Sequence, residues 1–171
     1  VDTPDIPHTP DGVLVLVVTD HAALLTRLPR SLDAYRSVIG GGWLEGLYPA
    51  VYQVNDRALP PWRAYCDEDG LVKGLPRNLT ATRLARAAGW TREEFLHGPV
   101  MFIGDRRDDD GDVPAPLVTL ARAFITMPED PYWCRGCGQV AWHPNDSRLG
   151  YCATCHTYAV DADTSRSAGT D

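Results

Sequence analysis

The sequence predicts an α+β fold: a small, mixed, mostly antiparallel sheet with a few helices, followed by a C-terminal zinc ribbon on four cysteines. Three observations predict it. Short β-branched or aromatic runs alternate with stretches of helical periodicity and are joined by short connections rich in Gly, Pro and Asn. The 171 residues, 44% hydrophobic and 23% charged, suit one modest domain with a small appendage and can fill a core. Four of the five cysteines lie at 134, 137, 152 and 155, as two CxxC pairs.

Taken in order, residues 1–12 and 161–171 lack apolar periodicity and are rich in Asp, Ser, Thr and Pro, so they read as disordered tails. The α+β domain is expected over 13–127 and the cysteine module over 130–160. The run 13–18 is apolar, β-branched and bounded by Gly12 and Asp20, which suits a buried strand. Ser31 then precedes Leu32, Tyr35 and Ile39 at i, i+3, i+7, a helix stopped by Gly40, Gly41 and Gly42. Strands at 43–48, 50–54 and 62–66 are expected to form an antiparallel meander, connected through Pro49 and 55–61, with a turn at 67–70. Asn78 caps a helix whose apolar side is Ala81, Leu84, Ala85 and Ala88, closed by Gly89. Thr91-x-x-Glu94 reads as a capping box opening a short helix before Gly98-Pro99. A strand at 100–103 and a charged loop at 105–112 follow. Leu117, Leu120, Ala121 and Phe124 mark the last helix, with Pro116 in its first turn and Pro128 beyond its end.

Several functional classes fall away on composition and motif. The longest apolar run, 13–18, is far short of the roughly 20 residues a membrane-spanning helix needs. The net charge of −7 argues against a wholly basic nucleic-acid coat but leaves room for a local basic patch. No basic and apolar leader pattern opens the chain, so a cytoplasmic setting is expected. P-loop, GxGxxG, GxSxG and HExxH motifs are absent. The acidic run 105–112 fails as a calcium loop: with Gly111 at the sixth position, Arg106 falls on the first ligand position and no Glu occupies the twelfth.

The CxxC spacing carries the clearest chemistry. Cys134 and Cys137, then Cys152 and Cys155, can each turn two sulfurs toward one metal, with Gly136 and Gly138 relieving the first knuckle. Residues 138–151 are long enough for a hairpin, 140–143 and 149–151 around a turn at 144–147, that returns the second pair to the first. Structural zinc (Zn2+) on four thiolates is the expected cofactor, supplying on the order of 10 kcal/mol to a unit too small for its own core. Two disulfides, a redox CxxC, and c-type haem attachment at Cys152-x-x-Cys155-His156 are the alternatives. Trp133, Trp142, Tyr151 and Tyr158 either pack as a substitute core or present a surface for nucleic acid or protein.

The central block, Cys66-Asp-Glu-Asp-Gly-Leu-Val-Lys-Gly-Leu-Pro-Arg-Asn78, has a glycine pair, Gly41-Gly42, with Trp43 and Glu45 upstream and Gly98-Pro99 with Gly104 downstream. Together these resemble an uncharacterised family of small phage, plasmid and actinobacterial proteins that carry a glycine pair leading into a strand with Glu, a C-D-E-x-G-x-x-K-G-L-P-x-N block and a G-x-V-x-x-x-G strand. The resemblance covers about residues 35–104 and implies an α+β domain without naming a reaction; Trp43 stands where that family often has Tyr or Ile.

From the residues themselves, Cys66, Asp67, Glu68 and Asn78 are candidate catalytic groups, clustered carboxylates beside a thiol and an amide, with Lys73 in the same block; an enzyme would gather Glu45 with Asp67, Glu68 and Asn78 in an open pocket. The alternative is a polar turn with a small buried thiol and a helix cap. Lys73, Arg77, Arg83, Arg86 and Arg92 occur with no acidic residue among them and form a candidate patch for a phosphate-bearing or acidic partner. The expected function is a small non-enzymatic accessory protein, mobile-element associated, that binds a nucleic acid or nucleoprotein partner. The alternatives are an enzyme or binding protein for a phosphorylated small molecule using 66–78, and a protein–protein adaptor or host-modulating factor.

Overall fold

The computed structural model describes residues 9, 11–54, 57–107, 109–125, 132, 134, 137, 141 and 144–159. The chain divides into two compact units, Val1–Ile125 and Thr126–Asp171. The class is α+β, as the sequence predicts, and all strand pairing among the described residues is antiparallel. No helix among the described residues is long and apolar enough to cross a membrane.

In the first unit, Val13–Val18 (β1) is buried at five of its six positions. It turns through Thr19, whose Oγ1 accepts from Ala22 N at 2.9 Å, into Ala23–Leu28 (β2). The sequence reading did not anticipate β2, because its Ala and Leu content carries no strand preference. Pairing in register from Val18↔Ala23 to Val13↔Leu28 imposes the strand. Leu32–Ile39 (α1) begins at its Ser31 cap and ends at Gly40, φ +99°. Its inner face is Ala34, Tyr35, Val38 and Ile39, whereas Leu32, expected on that face, sits in the first helical position and is exposed.

The expected meander is corrected. Leu44–Leu47 (β3) pairs directly with Trp62–Asp67 (β6), while Gln53–Val54 (β4) and Arg57–Ala58 (β5) form a separate hairpin. The 50–54 segment leaves the sheet because Ala50 N bonds to Gly89 O at 2.9 Å, beyond the helix Leu79–Ala87 (α2). Gly89 has φ +103°, and any side chain there would collide with Val51 O. The main sheet runs β2-β1-β7-β6-β3, where β7 is Val100–Arg106 and Asp109–Gly111 (β8) pairs with it at one end.

Side chains alternate across β6 and so receive different covers. Trp62 points to the face under α2, donating Nε1–H to Ala88 O at 3.2 Å, and Ala115–Phe124 (α3) packs on α2. Tyr65 points to the other face, where Tyr35 of α1 stacks on it at 5.8 Å between centroids. With helices over both faces, β1 and β7 are apolar runs rather than alternating ones. In α3 the buried side is Leu117, Val118 and Ala121; Phe124, expected to be inward, is exposed.

Two further expectations change for identifiable reasons. No helix forms at 91–97, despite the capping-box pattern. The Arg86 guanidinium takes the carbonyls of Arg92, Glu93 and Glu94, and Leu96 bonds Thr82 Oγ1 at 3.0 Å and Asn78 N at 2.8 Å, so tertiary partners claim the groups a helix would use. The charged loop at 105–112 is a hairpin, with Asp105↔Asp110 and Arg106↔Asp109 in register. Its acidic charge is matched from the sheet: Arg63 bonds Asp110 and lies 3.3 Å from Asp105, Tyr35 OH donates to Asp110 at 2.9 Å, and Arg30 pairs with Asp109 at 2.6 Å.

In the second unit, Pro144–Leu149 (α4) replaces the expected turn. Proline suits a first helical turn, Asp146 and Arg148 complement the helix dipole, and Gly150 at φ +62° ends it. Among the described residues of this unit, Tyr151–Cys152 (β9) pairs with Thr157–Tyr158 (β10) in a hairpin centred on the second CxxC. Residues 1–8, 10 and 160–171, which make up most of the two expected tails, lie outside the described residues, as do Val140, Trp142, His143, Trp133, Gly136 and Gly138. At the start of the chain, Thr9 N bonds Arg27 O at 3.0 Å.

Candidate metal centre and the block around Cys66

The four C-terminal sulfurs all lie within 4.8 Å of one another and can hold a metal ion. Hairpin β9–β10 builds the second knuckle: Cys152 closes β9, His156 N bonds back to Cys152 O at 2.8 Å, and Cys155 N points at Cys152 Sγ at 3.3 Å. His156 takes φ +56° to complete the turn. Across the knuckles, Cys134 and Cys155 sulfurs are 3.9 Å apart and Cys137 and Cys152 sulfurs 3.6 Å. Four thiolates placed about 2.3 Å from one metal in a tetrahedron have edges of about 3.8 Å. A disulfide would need about 2.05 Å, and none of the five cysteines forms one. Cys134 and Cys152 are buried, and Cys137 and Cys155 face solvent. His156 Nδ1 and Tyr151 OH share a hydrogen bond at 2.9 Å, and the Tyr151 ring lies 5.1 Å from that of Tyr158, an aromatic group on the outside of the knuckle.

The Cys66–Asn78 block is not gathered into one site. Cys66 and Asp67 are neighbours in β6 and point to opposite faces of the sheet. The Cys66 thiol turns to Glu45 Oε2 at 3.9 Å; burial, then the Glu45 and Asp67 charges, push its pKa up from 9.0 to about 12. Asp67 is buried and held by Lys73 Nζ at 2.7 and 2.9 Å and by Asp69 N at 3.0 Å; a side chain at Gly42 would collide with its carboxylate. Glu68 is exposed. Asn78 is fully buried, donating to Val18 O and Gly98 O at 2.8 Å each and accepting from Ala81 N at 2.9 Å. Its amide is thus engaged with β1, the segment before β7, and α2.

The basic set is largely committed as well. Lys73 is paired to Asp67. Arg77 and Arg86 lie 5.0 and 5.3 Å from the Phe95 ring centroid. Arg92 pairs with Glu94 at 3.1 Å and Glu45 at 3.7 Å. Arg77, Arg83 and Arg86 are all exposed with no ion pair among the described residues, and of these three Arg83 alone has no aromatic partner either. Sequence reading missed two clusters: Tyr35, Tyr65, Arg63 and Asp110 on one face of the sheet, and Arg36 stacked 4.7 Å over Trp43. The second had a visible signal, an Arg in the last helical turn before a glycine run and an aromatic residue. Comparison with protein-family models, curated proteins and solved structures gives no match.

Proposed function

We propose that this is a non-enzymatic accessory protein whose task is to bind a macromolecular partner, with a structural zinc ion on Cys134, Cys137, Cys152 and Cys155. The observation that carries this reading is the fate of the chemically capable groups. Asp67 and Asn78 are consumed by internal bonds, and the Cys66 thiol is buried and held protonated. Four thiolates also fill a tetrahedral metal, leaving no position for substrate, as structural sites do. Sulfur-only tetrahedral ligation suits zinc or iron. Zinc is favoured because this unit's described apolar core is small and a redox-silent ion suffices to hold it. Thiolate ligation fits a reducing, cytoplasmic setting, and the motif resemblance adds a mobile-element association.

A nucleic-acid partner is supported by Arg83 and by the Tyr151, Tyr158 and His156 rings, which offer stacking faces beside the metal knuckle. The pairing of Lys73 and Arg92 with carboxylates weakens that reading and favours a protein partner. The test is to purify the native chain and identify what remains bound through size-exclusion chromatography. A stoichiometric macromolecule supports the proposal. A chain that elutes alone and turns over a phosphorylated small molecule, with turnover lost in Cys66→Ala, contradicts it.

A further inference from the structure

Arg36 and Trp43 form a pair that neither the core nor the metal centre uses. Gly40 and Gly41, at φ +99° and +82°, reverse the chain after α1 so that the indole just before β3 lies under the guanidinium. The indole is 66% exposed. Nε of Arg36 is shielded from water without an acceptor, and no carboxylate among the described residues pairs with this guanidinium. The turn after β6 closes on the same edge of the sheet, where Glu68 N bonds Trp43 O at 2.9 Å and Asp67 abuts Gly42. On that turn Leu71 is 71% and Val72 87% exposed.

We propose that Arg36, Trp43, Leu71 and Val72 dock a segment of a partner protein that presents one carboxylate beside apolar side chains. The inference rests on the reading of this protein as a binding protein and names its partner surface. Trp and Arg are the side chains that most often anchor protein interfaces, and the two aliphatic groups add apolar area around them. The Arg36 guanidinium has no ion pair among the described residues, so a carboxylate can pair with its two terminal nitrogens in a two-pronged arrangement while Nε stays shielded. Charge selects against a polyanion. Lys73 is neutralised by Asp67, and Glu68 and Asp69 leave exposed carboxylates on the turn, so a phosphodiester chain meets repulsion where a single carboxylate meets Arg36.

The test uses the native full chain and fluorescence anisotropy with three probes: short peptides carrying one Glu among Leu and Phe, the same peptides with Gln for Glu, and oligothymidylate. The Glu peptides are expected to bind, the Gln peptides about tenfold more weakly. Arg36→Gln, Trp43→Ala and Val72→Asp should each weaken the Glu peptides by about tenfold or more, with metal content unchanged. Val72 already sits in water, so its substitution does not put folding in question. Tighter binding of oligothymidylate, equal binding of the Gln peptides, no peptide binding, or self-association abolished by Trp43→Ala would each overturn the proposal. Such a failure with a macromolecule still co-purifying would move the partner surface elsewhere and leave the binding function standing.

Discussion

Asn78 links three elements through one amide: it caps α2, and its two N–H groups close on Val18 O and Gly98 O. Each buried bond left unmade costs about 1–3 kcal/mol and a lost cap about 1 kcal/mol. Asn78→Ala is therefore expected to lower the unfolding free energy by at least about 2 kcal/mol in urea titration, a magnitude set by those unmade bonds. Asn78→Asp should do no better, because a carboxylate keeps the cap but faces two carbonyls. Cys66 makes a pH-dependent contribution of known sign. Its thiol is raised in the folded state to about 12 by burial and then by Glu45, so the contribution is complete below the ordinary value of 9.0 and is lost as pH rises toward 12. The native protein should leave Cys66 unalkylated by iodoacetamide at pH 8, and Cys66→Ala should remove part of the fall in stability above pH 9, the rest coming from tyrosines such as Tyr35 that burial also raises. Rapid native labelling would contradict the buried, protonated thiol.

At the level of elements, legibility follows the range of the forces involved. The helix at Asn78 and its face of Ala81, Leu84, Ala85 and Ala88 could be read from sequence because cap and periodicity are local, and all four side chains are buried. The 91–97 segment could not, since Arg86 and Thr82 claim its backbone groups from a neighbouring helix. Hairpin β7–β8 was hidden for a related reason: an acidic run reads as solvated until Arg63, two strands away from β8 in the sheet, is placed against Asp110. Both side chains are only 17% exposed. Removing either partner by Arg63→Met or Asp110→Ala should cost about 1–3 kcal/mol, less than a fully buried pair because solvent still reaches both. The double variant should recover part of that loss, a coupling readable in a double-mutant cycle. Additive losses would show that Arg63 and Asp110 stabilise the fold independently of each other. In the second unit the four ligand positions were legible from spacing, whereas α4 was not, because Pro144 and Asp146 suit a turn as well as a first helical turn.

For the whole molecule, the two units draw on different sources of stability. The first buries a sheet between helices, with Trp62, Phe102, Leu16 and Leu84 among its fully buried side chains. The second offers Cys134, Ala141 and Cys152 as its buried apolar side chains among the described residues, two of them members of the four-sulfur cluster. The proposed metal on the four sulfurs would hold this unit together, so chelation is expected to unfold the second unit and leave the unfolding transition of the first in place. The most direct test of the metal centre is elemental analysis of the natively purified chain beside Cys152→Ser. The account expects one zinc per wild-type chain and a colourless protein, with the zinc lost in the variant. A metal-free chain holding two disulfides, or a red iron-loaded one, would contradict it.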